Sequence, residues 1–238
     1  MTREVLQLPP IAAHALWAAT YDRIPNPLLS LEERIVEPLL PLMDRLVAVD
    51  VACGTGRWLE NLVRRGARIA VGLDLSPEML RQAVLKPALS GRLIEADCLA
   101  MPLCNASVDF AVSSFCLGYI TDMRGFAKEL SRIVRPGGYL VLSDFHPTAH
   151  ARGWKRSFRH DNTVVEISNF PRPLNSILET FADEGFEVLR SVEPGFGEAD
   201  RSSFEGCGKE DLFRELLGEV AIFVCLFRCA GESFRDRR

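Results

Sequence analysis

Nearly continuous apolar runs alternate with amphipathic segments along most of this chain. Residues 46–52 and 68–75 are typical of parallel strands that are buried on both faces. Other segments place apolar residues at helical spacing, such as Phe126, Leu130 and Ile133. Because strand and helix alternate five times up to residue 145, the pattern predicts an α/β fold with a doubly wound parallel sheet.

Two further apolar runs follow this alternating part and raise the number of predicted strands to seven. The first of these runs comes after a helical segment that Gly185 ends, and the second follows a short helix that Gly218 ends. The predicted strands cover residues 46–52, 68–75, 92–98, 109–115, 139–145, 186–192 and 220–227.

Two regions depart from the alternation. Residues 1–45 carry helical signals, including a capping-box sequence that begins at Ser30. Residues 145–172 contain two strand-like runs on either side of Asp161-Asn162, which predicts a hairpin and a lid at the carboxyl end of the sheet. With no internal repeat or low-complexity linker, we expect one domain made of an N-terminal helical cap (1–45), a core (46–144), a lid insertion (145–172) and the C-terminal part of the sheet (173–238).

The composition narrows the class of partner. The formal net charge is −4, which disfavours nucleic acid as the main partner because phosphate neutralisation needs a basic surface. The seven cysteines are scattered and form no C-x-x-C pair, which favours reduced thiols over disulfides or a zinc site. No apolar run approaches the roughly 20 residues needed to cross a bilayer, so we expect a cytoplasmic protein without a membrane partner.

A glycine-rich turn follows the first core strand. Asp50 ends the apolar run, and Gly54 and Gly56 precede a helix-forming segment. Glycines permit a left-handed backbone and close approach of a ligand, and the helix N-terminus favours negative charge, so the turn predicts a nucleotide or nucleoside site. A dinucleotide site needs a small residue where this chain has Leu59, which argues against NAD.

A second carboxylate supports a nucleoside ligand. Asp74 ends the next predicted strand, 18 residues after Gly56. In βαβ units an acidic residue at about this distance accepts hydrogen bonds from the ribose hydroxyls. Ser76 already provides an N-cap for the following helix, so we interpret Asp74 as a ligand-binding residue.

The segment from Asp50 to Gly56 resembles motif I of the class I methyltransferases that depend on S-adenosylmethionine (SAM). The sequence Arg135-Pro136-Gly137-Gly138, between a helix and a strand, is similar to the same family. The resemblance covers about residues 46–228 and implies a seven-stranded Rossmann-like sheet whose last strand is antiparallel. It also implies SAM as cofactor and a small molecule as methyl acceptor, with methyl transfer to oxygen, nitrogen or sulfur by in-line displacement.

The resemblance also implies roles for individual residues. Tyr21 matches a tyrosine over the methionine end of SAM, Asp97 an acid that accepts from the adenine amino group, and Cys98 a backbone N–H near the ring. Ser113, Ser114 and Phe115 match positions near the amino group of SAM and the substrate. The expected cofactor-binding residues are Tyr21, Asp50, Cys53, Gly54, Gly56, Asp74, Leu75, Asp97, Cys98, Ser113 and Ser114.

A catalytic base is predicted from position alone. His146 lies just beyond the fifth strand, where substrate is expected, and an unperturbed histidine pKa suits proton transfer near neutral pH. His14 lies in an apolar helical segment and is interpreted as structural. Because no arrangement of acidic residues near the fifth strand suggests a metal site, we expect a metal-independent enzyme.

Two alternatives stay open. One is a methyltransferase acting on RNA or protein, although Ser113-Ser114-Phe115-Cys116 stands where amino-methylating nucleic-acid enzymes often carry N/D-P-P-Y/F. The other is a non-catalytic SAM-binding protein or an NAD-type oxidoreductase. SAM binding and methylation of a metabolite panel would discriminate these alternatives, and the oligomeric state stays open as well.

Overall fold

A seven-stranded sheet forms the centre of this computed structural model, which describes residues 5–23 and 25–230. The described strands are β1 (Val5–Leu8), β2 (Val47–Val51), β3 (Ile69–Asp74), β4 (Leu93–Glu95), β5 (Val108–Ser114), β6 (Val134–Phe145), β7 (Ser157–His160), β8 (Thr163–Ile167), β9 (Phe186–Val192) and β10 (Ile222–Cys229). The described α-helices are α1 (Pro10–Tyr21), α2 (Pro27–Val36), α3 (Arg57–Arg64), α4 (Pro77–Ala83), α5 (Met123–Ile133), α6 (Pro147–Ala151), α7 (Leu174–Asp183), α8 (Arg201–Glu205) and α9 (Glu210–Leu216).

The central sheet has the strand order β4-β3-β2-β5-β6-β10-β9. The pairs among β2 to β6 are parallel, whereas β10 is antiparallel to both β6 and β9. This confirms the predicted α/β sheet and its antiparallel last strand. The strand order reverses between β2 and β5, and ligands of open α/β sheets bind outside the carboxyl ends of the strands at such a point.

Apolar layers cover both faces of the sheet. Successive side chains of a strand point to opposite faces, so Val49 and Val51 join the layer beneath α5 and α7, whereas Ala48 joins the layer beneath α2 and α3. Asp50 shares the second face with Ala48 and is almost fully buried there. The alternation therefore directs this carboxylate toward α3.

A small second sheet has the order β1-β8-β7. The predicted hairpin is present as β7 and β8, with the Asp161-Asn162 turn and Asp161 in the left-handed region at φ 51°. We call this hairpin, together with the preceding Trp154–Arg156 segment, the lid. Trp17 of α1 stacks on Phe158 with a centroid distance of 4.7 Å, so the N-terminal part and the lid pack together.

The N-terminal region differs from its predicted helical character in two ways. Val5–Leu8 forms a strand that pairs in parallel with β8, a long-range pairing that local periodicity does not encode. The second helix begins at Pro27 rather than at the Ser30 capping box, because the Asn26 side chain accepts a hydrogen bond from the Leu28 N–H and Pro27 is suited to the first helical position.

Candidate functional site

A cavity of about 1220 Å³ lies at the carboxyl ends of the parallel strands. Its wall includes the turn after β2, the ends of β3 and β4, helix α1, the lid, and the segment that precedes α9. Pockets for one small molecule usually measure about 300–1,000 Å³. The volume is therefore sufficient for a nucleoside-type cofactor and a second reactant side by side.

The turn between β2 and α3 forms one side of this cavity. Gly54 and Gly56 have φ angles of 54° and 82°, in the left-handed region that favours glycine. A Cβ on Gly54 would meet no other atom within 4 Å, whereas one on Gly56 would collide with the Leu89 side chain. Gly54 is thus on the wall of the cavity, and Gly56 allows α3 to start close to its neighbours.

Asp74 joins this turn to the end of β3. One carboxylate oxygen accepts from the Gly54 N–H at 2.7 Å, and the other accepts from the Ser76 N–H at 2.8 Å. Burial raises the pKa of Asp74, and these backbone hydrogen bonds act in the opposite direction. A carboxylate has about four acceptor sites, so Asp74 retains capacity for ligand hydroxyls on the cavity wall.

The end of β4 contributes the second carboxylate of the wall. Asp97 is exposed, and one of its oxygens accepts from the Leu99 N–H at 2.9 Å. Its neighbour Cys98 also lines the cavity, and burial raises the pKa of the Cys98 thiol to about 12. Leu75 adds an apolar surface that is 48% exposed.

Four of the predicted cofactor-binding residues lie behind the wall rather than on it. They are Asp50, Cys53, Gly56 and Ser113. The Asp50 carboxylate accepts from the Leu59 N–H at 2.8 Å, and the Ser113 hydroxyl donates to the Val51 carbonyl at 2.8 Å. In this structure these side chains support the turn, so direct contact of the four residues with a cofactor stays a prediction that no wall position supports.

The buried Asp50 carboxyl leads to a testable pH dependence. Burial raises its pKa to about 7, whereas an aspartate in an unfolded chain titrates near about 4. The folded state therefore holds this proton more tightly, and the stability contributed by Asp50 is complete below about pH 4 and lost as the pH rises to about 7. Asp50→Asn keeps an acceptor for the Leu59 N–H but has no proton to lose. We expect the Tm of this variant, relative to wild type, to increase between about pH 5 and about pH 8 in thermal unfolding.

Glu60→Gln is the matched control for this experiment, because Glu60 is an exposed carboxylate on α3. We expect its Tm difference from wild type to stay constant over the same range. A difference for Asp50→Asn that is equally constant would contradict the assignment of a buried, late-titrating carboxyl.

Tyr21 and Ser114, two of the predicted cofactor-binding residues, lie on the cavity wall. The Tyr21 ring packs edge-on against Trp17 at 4.7 Å, and burial raises the pKa of its hydroxyl to about 12. Ser114 accepts a hydrogen bond from the Arg57 guanidinium at 3.1 Å. Tyr21 therefore presents a protonated hydroxyl at neutral pH.

His146 is not on the cavity wall. Its ring caps α6 by accepting from the Thr148 N–H at 3.2 Å, and its Nε2 lies 2.7 Å from the Glu193 carboxylate. Side chains alternate along the end of β6, so Phe145 faces the cavity and His146 faces away. In this structure the His146 ring caps α6 and does not reach the cavity wall, so its catalytic role stays a prediction without a supporting contact.

Helix α1 supplies wall residues that sequence reasoning missed. His14 and Trp17 line the cavity together with Tyr21, and the three are spaced at i, i+3 and i+7 on one helical face. The spacing of His14 and Trp17 relative to Tyr21 could have shown, from the sequence alone, that they share a helical face with this predicted site residue. Burial and, secondarily, the charge of Arg156 lower the pKa of His14 to about 4, so its imidazole is neutral at pH 7.

Arg156 fastens the lid to the end of the central sheet. Its side chain is 4% exposed, forms an ion pair with Asp144 and donates to the Phe115 carbonyl at 3.0 Å. The guanidinium carbon lies 4.8 Å from the Tyr119 ring centroid and 4.5 Å from that of Phe145. Both rings and Arg156 line the cavity, so this ion pair positions part of its wall.

Within residues 5–23 and 25–230, no group of three or more histidine, cysteine, aspartate or glutamate side chains is placed to hold a metal ion. No helix in the same described part of the chain has the length and hydropathy needed to cross a membrane.

Comparisons with known proteins show which chains this protein is similar to. A family model described as "Methyltransferase domain" matches residues 49–142. The demethylmenaquinone methyltransferase of Staphylococcus aureus (strain MRSA252) is 32% identical over 215 residues, which cover 86% of this chain and 80% of that protein. A malonyl-[acyl-carrier protein] O-methyltransferase of Hahella chejuensis is 33% identical over 130 residues, covering 53% of this chain.

The length of these matches varies. The chain covers only 34%, 46% and 54% of the length of three other curated relatives, including the Hahella protein. Among solved structures, a SAM-dependent methyltransferase from Mesorhizobium loti has a TM-score of 0.69 at 22% identity, with 85% of this chain and all of that chain covered. This structural likeness shows the same fold.

Proposed function

This chain belongs to the class I SAM-dependent methyltransferases, and from that premise we propose that its methyl acceptor is a small metabolite bound in the same cavity as SAM. The observation that carries the proposal is the composition of the cavity wall. Gly54, Asp74 and Asp97 meet on one side, whereas aromatic side chains of α1 and the lid form another. A volume of about 1220 Å³ has room for both reactants.

The residues on the strand-end side fit the adenosine part of SAM. We propose that Asp74 accepts from the ribose hydroxyls and Asp97 from the adenine amino group, since an ionised carboxylate offers acceptors and no donor. Gly54 has open space on its cavity side, which permits close approach of the ligand to the backbone. Tyr21 and Ser114 would lie beside the methionine part of SAM.

Methyl transfer requires alignment more than acid–base chemistry. When bound, SAM supplies a methyl group on a positively charged sulfur that is a good leaving group. The chain would hold the acceptor atom in line at about 3–3.5 Å from that methyl carbon and exclude water from the reaction. Trp17 and Phe158, stacked on one another between α1 and the lid, are placed to provide this exclusion.

The small size of the acceptor is supported by two observations. Two relatives are named for methylation of demethylmenaquinone and of malonyl-[acyl-carrier protein], and the first of these acceptors is a small molecule. The net charge of −4 disfavours RNA. Methylation of protein or RNA is therefore the competing outcome in the experiment below.

The direct test is methyl transfer from SAM with a tritiated methyl group. We expect label in the small-molecule fraction when a panel of metabolites is offered, and none in tRNA or protein substrates. Asp74→Ala is expected to weaken SAM binding by roughly 10- to 100-fold in calorimetry, because a hydrogen bond to a charged group contributes about 1.5–3 kcal/mol.

Glu60→Ala is the control, since this exposed carboxylate of α3 is not on the cavity wall. Asp74→Asn separates ligand contact from turn geometry, because the amide oxygen still accepts from one backbone N–H. Unchanged SAM affinity in Asp74→Ala would overturn the ribose assignment, and label found mainly in macromolecules would overturn the proposed acceptor class.

A further inference from the structure

The charged side chains of the cavity wall are segregated by sign. Among the described residues its carboxylates are Asp74, which ends β3, and Asp97, which follows β4, both on the side assigned to adenosine. Its cationic residues lie on the lid and on the segment before α9, and they are Lys155, Arg156, Arg159 and Lys209. The part of the cavity left for the acceptor is therefore basic in a protein of net charge −4.

Two of these cations have no ion-pair partner among the described residues. Lys155 pairs with Glu166 at 2.8 Å, and Arg156 pairs with Asp144. Within the described ranges, neither Arg159 nor Lys209 forms an ion pair, and both are exposed at the cavity. An anionic ligand in the cavity would complement either of them.

The wall that carries these cations also carries apolar and aromatic side chains. Phe158 precedes Arg159 and stacks on Trp17, and both pack in one apolar cluster with Tyr119. Flat unsaturated ligands suit such walls, because aromatic rings favour offset-stacked and edge-to-face contacts. A strongly polar ligand such as a sugar would leave its hydroxyls without partners there.

We propose that the methyl acceptor is an aromatic carboxylate, with its rings against Trp17 and Phe158 and its acid group facing Arg159 and Lys209. This inference rests on the proposed function, because it assigns the remaining part of the same cavity to the acceptor. The exposed charges of Arg159 and Lys209 also attract an anion toward the cavity, so we expect the anion to bind more weakly as the salt concentration increases.

A matched pair of fluorescent probes tests the inference without measuring turnover. Anilinonaphthalene sulfonate carries an acid group, and phenylnaphthylamine has the same rings without it. Both are titrated into protein saturated with S-adenosylhomocysteine. We expect the double variant Arg159→Glu with Lys209→Glu to weaken binding of the anion by about tenfold, and to change binding of the neutral probe by less than about twofold.

The control is Lys128→Glu, which changes an exposed lysine of α5 that is not on the cavity wall and leaves the binding of both probes unchanged. A panel of aromatic acids and their amides then tests the acceptor itself, with kcat/KM expected to fall for the acids alone in the double variant. Equal effects on both probes, or none on either, would overturn the inference. A protein that binds no SAM would instead overturn the proposed function, which calorimetry reports separately.

Discussion

Replacing Glu32 by alanine is expected to lower the free energy of unfolding by about 3–5 kcal/mol, the usual cost of removing one partner from a buried ion pair. The Glu32 side chain is fully buried. It accepts from the Arg57 guanidinium at 2.7 Å, from the Trp58 indole N–H at 3.1 Å, and from the Ser143 hydroxyl at 2.6 Å. The carboxylate thereby joins α2 to α3 and to β6.

The large cost arises because three donors lose their acceptor together. Arg57 already has one buried guanidinium nitrogen without a partner among the described residues. Without Glu32 the Arg57 guanidinium would lose its ion-pair partner, and the desolvation cost of the group would remain.

Urea denaturation measures this effect, with Glu33→Ala as the neighbouring control. Glu33 is only half-buried on the same helix, so we expect a change of less than about 1 kcal/mol there. Glu32→Gln keeps the shape and one acceptor oxygen and should fall between the two. A loss below about 1 kcal/mol for Glu32→Ala would contradict the role assigned to this carboxylate.

Replacing Arg156 by methionine is the second substitution for which we expect a large effect, again about 3–5 kcal/mol. Asp144 would still accept from the Gly118 N–H at 2.8 Å and from the Phe145 N–H, but it would be a buried anion without its cation. The lid would also lose the hydrogen bond to the Phe115 carbonyl. We therefore expect faster hydrogen exchange in β7 and β8.

A double-mutant cycle distinguishes the ion pair from simple loss of packing. Asp144→Asn removes the negative charge and retains acceptors for the backbone N–H groups. Because replacement of both members of a buried pair is often nearly neutral, we expect the double variant Arg156→Met with Asp144→Asn to be more stable than Arg156→Met alone. A double variant that is no more stable than the single one would show that packing, not charge, dominates.

Much of the fold can be predicted from the sequence because it depends on local features. The apolar run that becomes β2 is recognisable without tertiary information, since strands buried on both faces need continuous apolar side chains. Gly54 marks the turn because its positive φ strongly favours glycine. The carboxylates Asp74 and Asp97 follow strands whose carboxyl ends meet at one edge of the sheet.

The direction in which an individual side chain points is harder to predict from the sequence, as two histidines illustrate. His146 follows β6, whose end borders the cavity, and His14 lies within α1, but only His14 is on the cavity wall. The direction of His146 depends on its contact with Glu193 and on the cap of α6. Likewise, Ser30 has the features of a helix start, yet Asn26 forms the cap in the folded chain.

By itself, the sequence determined the α/β class, the glycine turn and the positions of the acidic strand ends, because periodicity and backbone restrictions act over a few residues. Only the tertiary structure decided that β1 pairs with β8, that Arg156 joins the lid to Asp144, and that the basic residues of the lid face the cavity. These features depend on contacts between segments far apart in the chain, and local propensity does not encode which distant partner satisfies a buried charge or an unpaired strand edge.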